Sequence, residues 1–134
     1  MSYDNRRLSE AASAEHQNLA KGLIQYLNAN GWQVTHASGI QGYQAPYQVG
    51  DYIPDVIAKA QNGLLAFGEA ETCESVTSDH TAAQVDVFSN RIMSNGGATI
   101  PFFIVVPESC FGRLEQLIRE RFPTRRNITP LHQS

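Results

Sequence analysis

The spacing of apolar residues divides the chain into alternating helical and extended segments. From about Ser9 to Asn28 the pattern is helical: Leu19, Leu23 and Leu27 recur every four residues, Ser9 is a candidate N-cap, and Asn30-Gly31 ends the run. Trp32 to Ala37 reads as a strand. Ser38 to Asp51, with its glycines, Tyr43, Tyr47 and Pro46, reads as a long loop. Tyr52 to Ala60 and Leu64 to Thr72 read as two further strands, and the turn Gln61-Asn62-Gly63 makes them an antiparallel hairpin. A second helix is predicted over Thr77 to Met93, with Ser78 or Thr81 near its cap and Asn95-Gly96-Gly97 closing it. Pro101 to Val106 is almost wholly apolar, as expected of a strand buried on both faces. Phe111 to Phe122 completes the pattern as a helix with Leu114, Leu117 and Ile118 inward and Pro123 as its stop.

The order α-β-β-β-α-β-α predicts an α/β domain with a mixed central sheet flanked by helices. At 134 residues, 42% of them apolar, the chain has the size and composition of one domain with one core, and no linker or repeat divides it. No apolar run approaches the roughly 20 residues of a membrane span. No apolar stretch follows the arginines of MSYDNRRLSE, so no secretory signal or membrane association is expected. Cys73 and Cys110, far apart in sequence, do not make a disulfide framework. The expected setting is reducing and cytoplasmic.

A net charge of −3 argues against a generic polyanion binder, but the charges are segregated. Seven acids and a single base, Lys59, lie between Asp51 and Asp86. Five of the ten basic residues lie between Arg113 and Arg126. Such polarity fits an acidic centre beside a basic flank, or ordinary surface charge.

The acids carry the candidate chemistry. Side chains two apart on a strand share a face, so Leu65, Phe67, Glu69 and Glu71 lie together, as do Ile53, Asp55, Ile57 and Lys59. A hairpin brings Asp55 close to Glu69 if the register allows. Carboxylates on core-like strands need partners, and three gathered with one lysine nearby repel unless protons or a divalent ion intervene. Mg²⁺ and Mn²⁺ prefer such oxygen ligands. Solvent exposure at the strand end is the competing reading of the two glutamates. Glu15 stands at the edge of the Leu8, Leu19, Leu23 stripe, where either a site role or an exposed border position fits. His80 and Gln84, four apart, share a face of the second helix. Gln84 interrupts an apolar segment and is expected to hydrogen-bond a specific partner.

Helical Glu15, strand-borne Pro54-Asp55, then Glu69-Ala70-Glu71, a helix with Gln84 and the apolar strand Phe102 to Val106 together resemble the PD-(D/E)xK nuclease superfamily, the restriction-endonuclease-like fold. Within it the chain looks most like small single-domain, Holliday-junction-resolvase-like members, and the resemblance spans about residues 9 to 122. It implies Mg²⁺ or Mn²⁺ held by Asp55 and Glu69, with Glu15 and Glu71 as further ligands, Gln84 supporting the site, and His80 and Lys59 as possible accessories. It also implies DNA as substrate and a homodimer, since two strands must be cut. The departure is Glu71, which stands where the superfamily carries its lysine. Some restriction enzymes of the superfamily carry glutamate there, where a carboxylate can act as base or ligand. Lys59 lies about 13 Å along the strand from Asp55, too far to take over the lysine's role.

The reading is therefore a Mg²⁺-dependent nuclease hydrolysing DNA phosphodiester bonds. Its alternatives are a catalytically inactive nuclease-fold module that binds DNA or protein, and a metal-dependent hydrolase of small phosphorylated substrates. Tyr43 and Tyr47 on the long loop could stack on DNA or pack against a second subunit.

Overall fold

A computed structural model describes residues 10–94 and 97–134. Its elements are α1 (Glu10–Ala29), β1 (Gln33–Ala37), β2 (Val56–Lys59), β3 (Leu65–Ala70), α2 (Asp79–Ser89), β4 (Phe102–Pro107), α3 (Phe111–Arg121) and β5 (Ile128–Gln133). A 3-10 turn at Glu108–Cys110 leads into α3. The five strands form one mixed sheet in the order β1-β2-β3-β4-β5. The first three are antiparallel neighbours, and β3, β4 and β5 run parallel, joined by the α2 and α3 crossovers. The α/β class, the hairpin and the mixed sheet flanked by helices are as the sequence pattern predicts.

Each face of the sheet has its own apolar layer. Leu19, Ala20, Leu23, Ile24 and Leu27 of α1 pack on Val34, Val56, Ala58, Ala66, Ala70, Phe103 and Val105. On the other face Val85 and Phe88 of α2 and Leu114 of α3 pack on Ile57, Phe67, Phe102, Ile104 and Val106. Alternate residues of β4 thus go to opposite layers, which is why that strand is apolar throughout. Burying a side chain such as Leu27, which is wholly inaccessible, contributes about 1.5–3 kcal/mol. Gly68 lets α1 lie close on β3: a Cβ there would meet Leu23 Cδ2 at 2.8 Å and Val56 Cβ at 3.3 Å.

Several boundaries differ from expectation. The second strand begins at Val56, not Tyr52, because Pro54 has no N–H for the ladder and the chain bends at Asp55. Ser78 caps α2 by accepting from Thr81 N at 3.1 Å. The helix ends at Ser89, beyond which Ile100 N donates to Arg91 O and Met93 N to Ala98 O, both at 2.8 Å. The proposed stop at Asn95-Gly96-Gly97 falls partly outside the described residues, as do the Ser9 cap and Leu8. A fifth strand, absent from the α-β-β-β-α-β-α pattern, adds Ile128–Gln133 to the sheet edge.

The cysteines also differ from expectation. Cys73, just after β3, and Cys110, at the start of α3, are joined as a disulfide with their Cα atoms 5.6 Å apart. The parallel β3 and β4 end side by side, so residues 37 apart in sequence emerge together. Among the described residues no helix is long and apolar enough to cross a membrane.

Candidate functional site

The β2–β3 hairpin fixes the register that sequence left open. Val56 pairs with Gly68 and Lys59 with Leu65, so the next position sets Asp55 opposite Glu69. Past the ladder the side chains take over from the backbone. Asp55 N donates to Glu69 Oε2 at 2.8 Å, and Ala70 N donates to Asp55 Oδ2 at 2.9 Å. Glu71 follows β3, its N–H donating to Val105 O at 3.0 Å. Its Oε1 accepts from Ser75 Oγ at 2.7 Å and lies 3.2 Å from Thr81 Oγ1, whose hydroxyl also reaches Ser75 O at 2.7 Å.

The helical contributor is His16, not Glu15. His16 Nε2 lies 3.1 Å from Asp55 Oδ2, whereas Glu15 is exposed. Helix geometry explains the correction. At about 100° per residue, the steps 27, 23, 19, 15 drift to about 120° from Leu27. The path 27, 23, 20, 16 ends only about 20° away and stays on the buried face. The signal for His16 was present in the i, i+4, i+7 spacing of His16, Ala20, Leu23 and Leu27.

Burial and like charge dominate the electrostatics. Glu69 and Glu71 are 3% and 9% exposed. Burial, then the neighbouring charges of Asp55 and Glu71, hold the Glu69 carboxyl well above the usual carboxylate range. Burial also raises Glu71, with Asp55 adding to the effect, against the Ser75 and Thr81 hydroxyls that favour its ionised form. Both carboxyls are thus raised, and burial is the first cause for each. His16 is raised, chiefly by its hydrogen bond to Asp55. The ion pairs among the described residues are His16–Asp55 and Arg125–Asp86, so no lysine or arginine among those residues pairs with the two glutamates.

The other candidates take different places. Thr81, rather than His80 or Gln84, is the α2 residue that reaches Glu71. His80 is exposed and stands edge-on to Tyr52, ring centroids 5.4 Å apart. Gln84 is half-buried on α2 and takes no part in the hydrogen bonds around the three acids. Lys59 is exposed at the far end of β2 from Asp55. Within the basic flank Arg125 is structural: it pairs with Asp86 Oδ1 at 2.7 Å, donates to Ser89 Oγ at 2.9 Å and stacks on Phe122. Arg113, Arg119, Arg121 and Arg126 are exposed. On the long loop Tyr43 packs on the α1 layer, while Tyr47 is 46% exposed and stands edge-on to His36.

In chemical terms the cluster is oxygen-rich and, among the described residues, without a lysine or arginine partner for its glutamates, a composition that suits a divalent ion. Among the described residues no three histidine, cysteine, aspartate or glutamate side chains already converge on a metal position. The carboxylate oxygens instead face internal donors: the Asp55 and Ala70 amides, His16 and Ser75. No buried side-chain nitrogen or oxygen among the described residues lacks a partner. No protein-family model, curated protein or solved structure matches the chain.

Proposed function

We propose that the chain is a Mg²⁺- or Mn²⁺-dependent nuclease of the PD-(D/E)xK type, with a restriction-endonuclease-like core, hydrolysing DNA phosphodiester bonds. The observation that carries this reading is the meeting of Asp55, Glu69 and Glu71 with His16 at the end of β3, with two buried glutamates that no lysine or arginine among the described residues offsets. Asp55 and Glu69 would hold the metal, with His16 and Glu71 as further ligands in place of the expected Glu15. A divalent ion there would lower the pKa of a bound water and offset charge developing on the phosphate.

The chain's own residues have separable tasks. The Asp55 and Ala70 amides orient Glu69 and Asp55 towards one another. Glu71, ordered by Ser75 and Thr81, would accept a proton from water in the role the superfamily gives to lysine. Arg113, Arg119, Arg121 and Arg126 are the exposed cations available to a DNA backbone, and Tyr47 is available for stacking. Action on DNA in the cytoplasm as a homodimer completes the proposal.

Incubation of plasmid and branched DNA with Mg²⁺ or Mn²⁺ tests it. Cleavage is expected from the wild-type chain and absent from folded Asp55→Asn and Glu69→Gln variants. Cleavage that survives both substitutions refutes the assignment. A second reading, a non-catalytic DNA- or protein-binding module, is favoured by the absence of a lysine or arginine partner at Glu71 among the described residues. It expects DNA or protein binding without turnover in any divalent metal.

A further inference from the structure

The segment between Glu71 and α2 is held at several points. Ser75 N and Val76 N both donate to Thr72 O at 3.1 Å, and Ser78 N donates to Ser75 O at 3.0 Å. Val76 is wholly buried and anchors the second half of the segment. The first half, Cys73-Glu74-Ser75, is tied down from outside by the Cys73–Cys110 disulfide. Ser75 is also the residue whose hydroxyl reaches Glu71 Oε1 at 2.7 Å. The covalent tie and the carboxylate are thus linked through two residues of backbone.

The two sulfurs are unequally placed. Cys110 is 1% exposed, whereas Cys73 is half-buried with its Sγ 3.5 Å from Ser109 Oγ on the protein surface. An external thiolate therefore has access to Cys73. Cys110 is the N-cap residue of α3, an 11-residue helix. A thiolate leaving there meets the partial positive charge of the helix N-terminus.

We infer that Cys73–Cys110 is a thiol-exchangeable disulfide that latches the Thr72–Ser78 segment and, through Ser75, orders Glu71. In the first step a small-molecule or protein thiolate attacks Cys73 Sγ. A mixed disulfide forms, the Cys73–Cys110 bond breaks, and its electron pair leaves on Cys110 Sγ, which is then protonated. A second thiolate attacks the external sulfur of the mixed disulfide and releases Cys73 as the thiolate, protonated in turn. Two external thiols are oxidised to one disulfide while the protein disulfide takes up two electrons and two protons. The reduced segment keeps Val76 and the bonds that Ser78 and Thr81 make to Ser75 O but loses the tie at Cys73, so Ser75 holds Glu71 less firmly. Ordering Glu71 is then a cost of metal binding, and affinity falls. That consequence rests on the proposed metal site; the latch itself does not.

The test compares the full-length oxidised chain, the same chain treated with reduced glutathione or dithiothreitol without denaturant, and Cys73→Ser. Alkylation followed by mass measurement reports the thiol state. Amide hydrogen exchange reports the segment, and Mn²⁺ titration reports the site. Reduction under native conditions is expected, with exchange at Ser75 and Val76 roughly tenfold faster and α1 and β4 unchanged. Cys73→Ser should reproduce the reduced form, and Mn²⁺ affinity should fall roughly three- to tenfold in both. A disulfide that yields to thiols only in denaturant, or equal exchange in all three proteins, overturns the latch. Faster exchange with unchanged Mn²⁺ affinity overturns its link to Glu71. No Mn²⁺ binding by any form counts against the metal site alone, and the exchange comparison then decides the latch.

Discussion

Replacing Glu69 with glutamine should make the metal-free protein more stable at neutral pH. Glutamine keeps the shape of the protonated acid: its oxygen can accept from Asp55 N as Glu69 Oε2 does at 2.8 Å, and it carries no charge for Asp55 and Glu71 to repel. Glu69 is 3% exposed, so water offers little screening. Its folded-state pKa is raised, so the folded protein holds a proton that the unfolded chain releases. By linkage, that contribution favours folding at low pH and is lost as pH climbs above the ordinary value towards the folded one. One unit of proton affinity is worth about 1.4 kcal/mol, so between the ordinary value of 4.5 and pH 7 the gain on substitution is bounded at about 3 kcal/mol. A gain of roughly 1–3 kcal/mol is expected at pH 7, shrinking towards zero near pH 4. Urea denaturation of both proteins in chelator at a series of pH values measures it. A variant less stable than wild type at pH 7, or a difference that does not change with pH, refutes the reasoning. Saturating Mn²⁺ should narrow or reverse the order, because ligand at a hundred times its Kd stabilises the wild type by about 2.7 kcal/mol.

Three further outcomes follow from neighbouring contacts. His16 has a raised pKa, so its pairing with Asp55 contributes fully below the ordinary 6.5 and is lost as pH rises through the folded value. Because its side chain is 37% exposed, His16→Gln should cost only about 0.5 kcal/mol at pH 5.5 and nothing measurable at pH 9, as read by paired denaturation curves. Ser75→Ala removes the 2.7 Å donor to Glu71 and should cost about 1–2 kcal/mol in thermal unfolding; an unchanged melting temperature would show that Thr81 alone satisfies the carboxylate. Gly68→Ala would press a methyl group against Leu23 at 2.8 Å and should cost about 1–3 kcal/mol, with far-ultraviolet circular dichroism showing the fold retained.

Much of the architecture was legible because it is written in periodicity. The both-face apolar run of β4, the hairpin at Asn62-Gly63 and the two carboxylates at the end of β3 and just past it each state a local geometry that tertiary packing preserves. β5 was not legible: Pro130 interrupts it, and as an edge strand it is mostly half-buried, so it shows neither clear alternation nor an apolar run. His16 was missed through a cumulative angular error, since a four-residue step overshoots the helical turn by about 40° and three steps exchange one face for another. Ser75 and Thr81 are ordinary residues in a loop and at a helix start, and only the path of the chain after β3 brings them to Glu71. The disulfide depends on the parallel ends of β3 and β4 meeting, a non-local fact that cysteine spacing does not encode. Lys59 shares a strand with the Asp55 segment, but strand length separates the two ends as the rise per residue requires.

The proposed nuclease requires the acidic cluster at the end of β3 to hold a divalent cation. Calorimetric titration of Mn²⁺ into the metal-free protein, repeated in buffers of different ionisation enthalpy, tests it most directly. The expected result is saturable binding with proton release, because Glu69 must give up its proton to act as a ligand. Folded Asp55→Asn and Glu69→Gln should lose that binding, with Glu15→Gln unaffected. Absence of Mn²⁺ binding by the wild type, or binding that persists unchanged in Asp55→Asn and Glu69→Gln, would contradict the account.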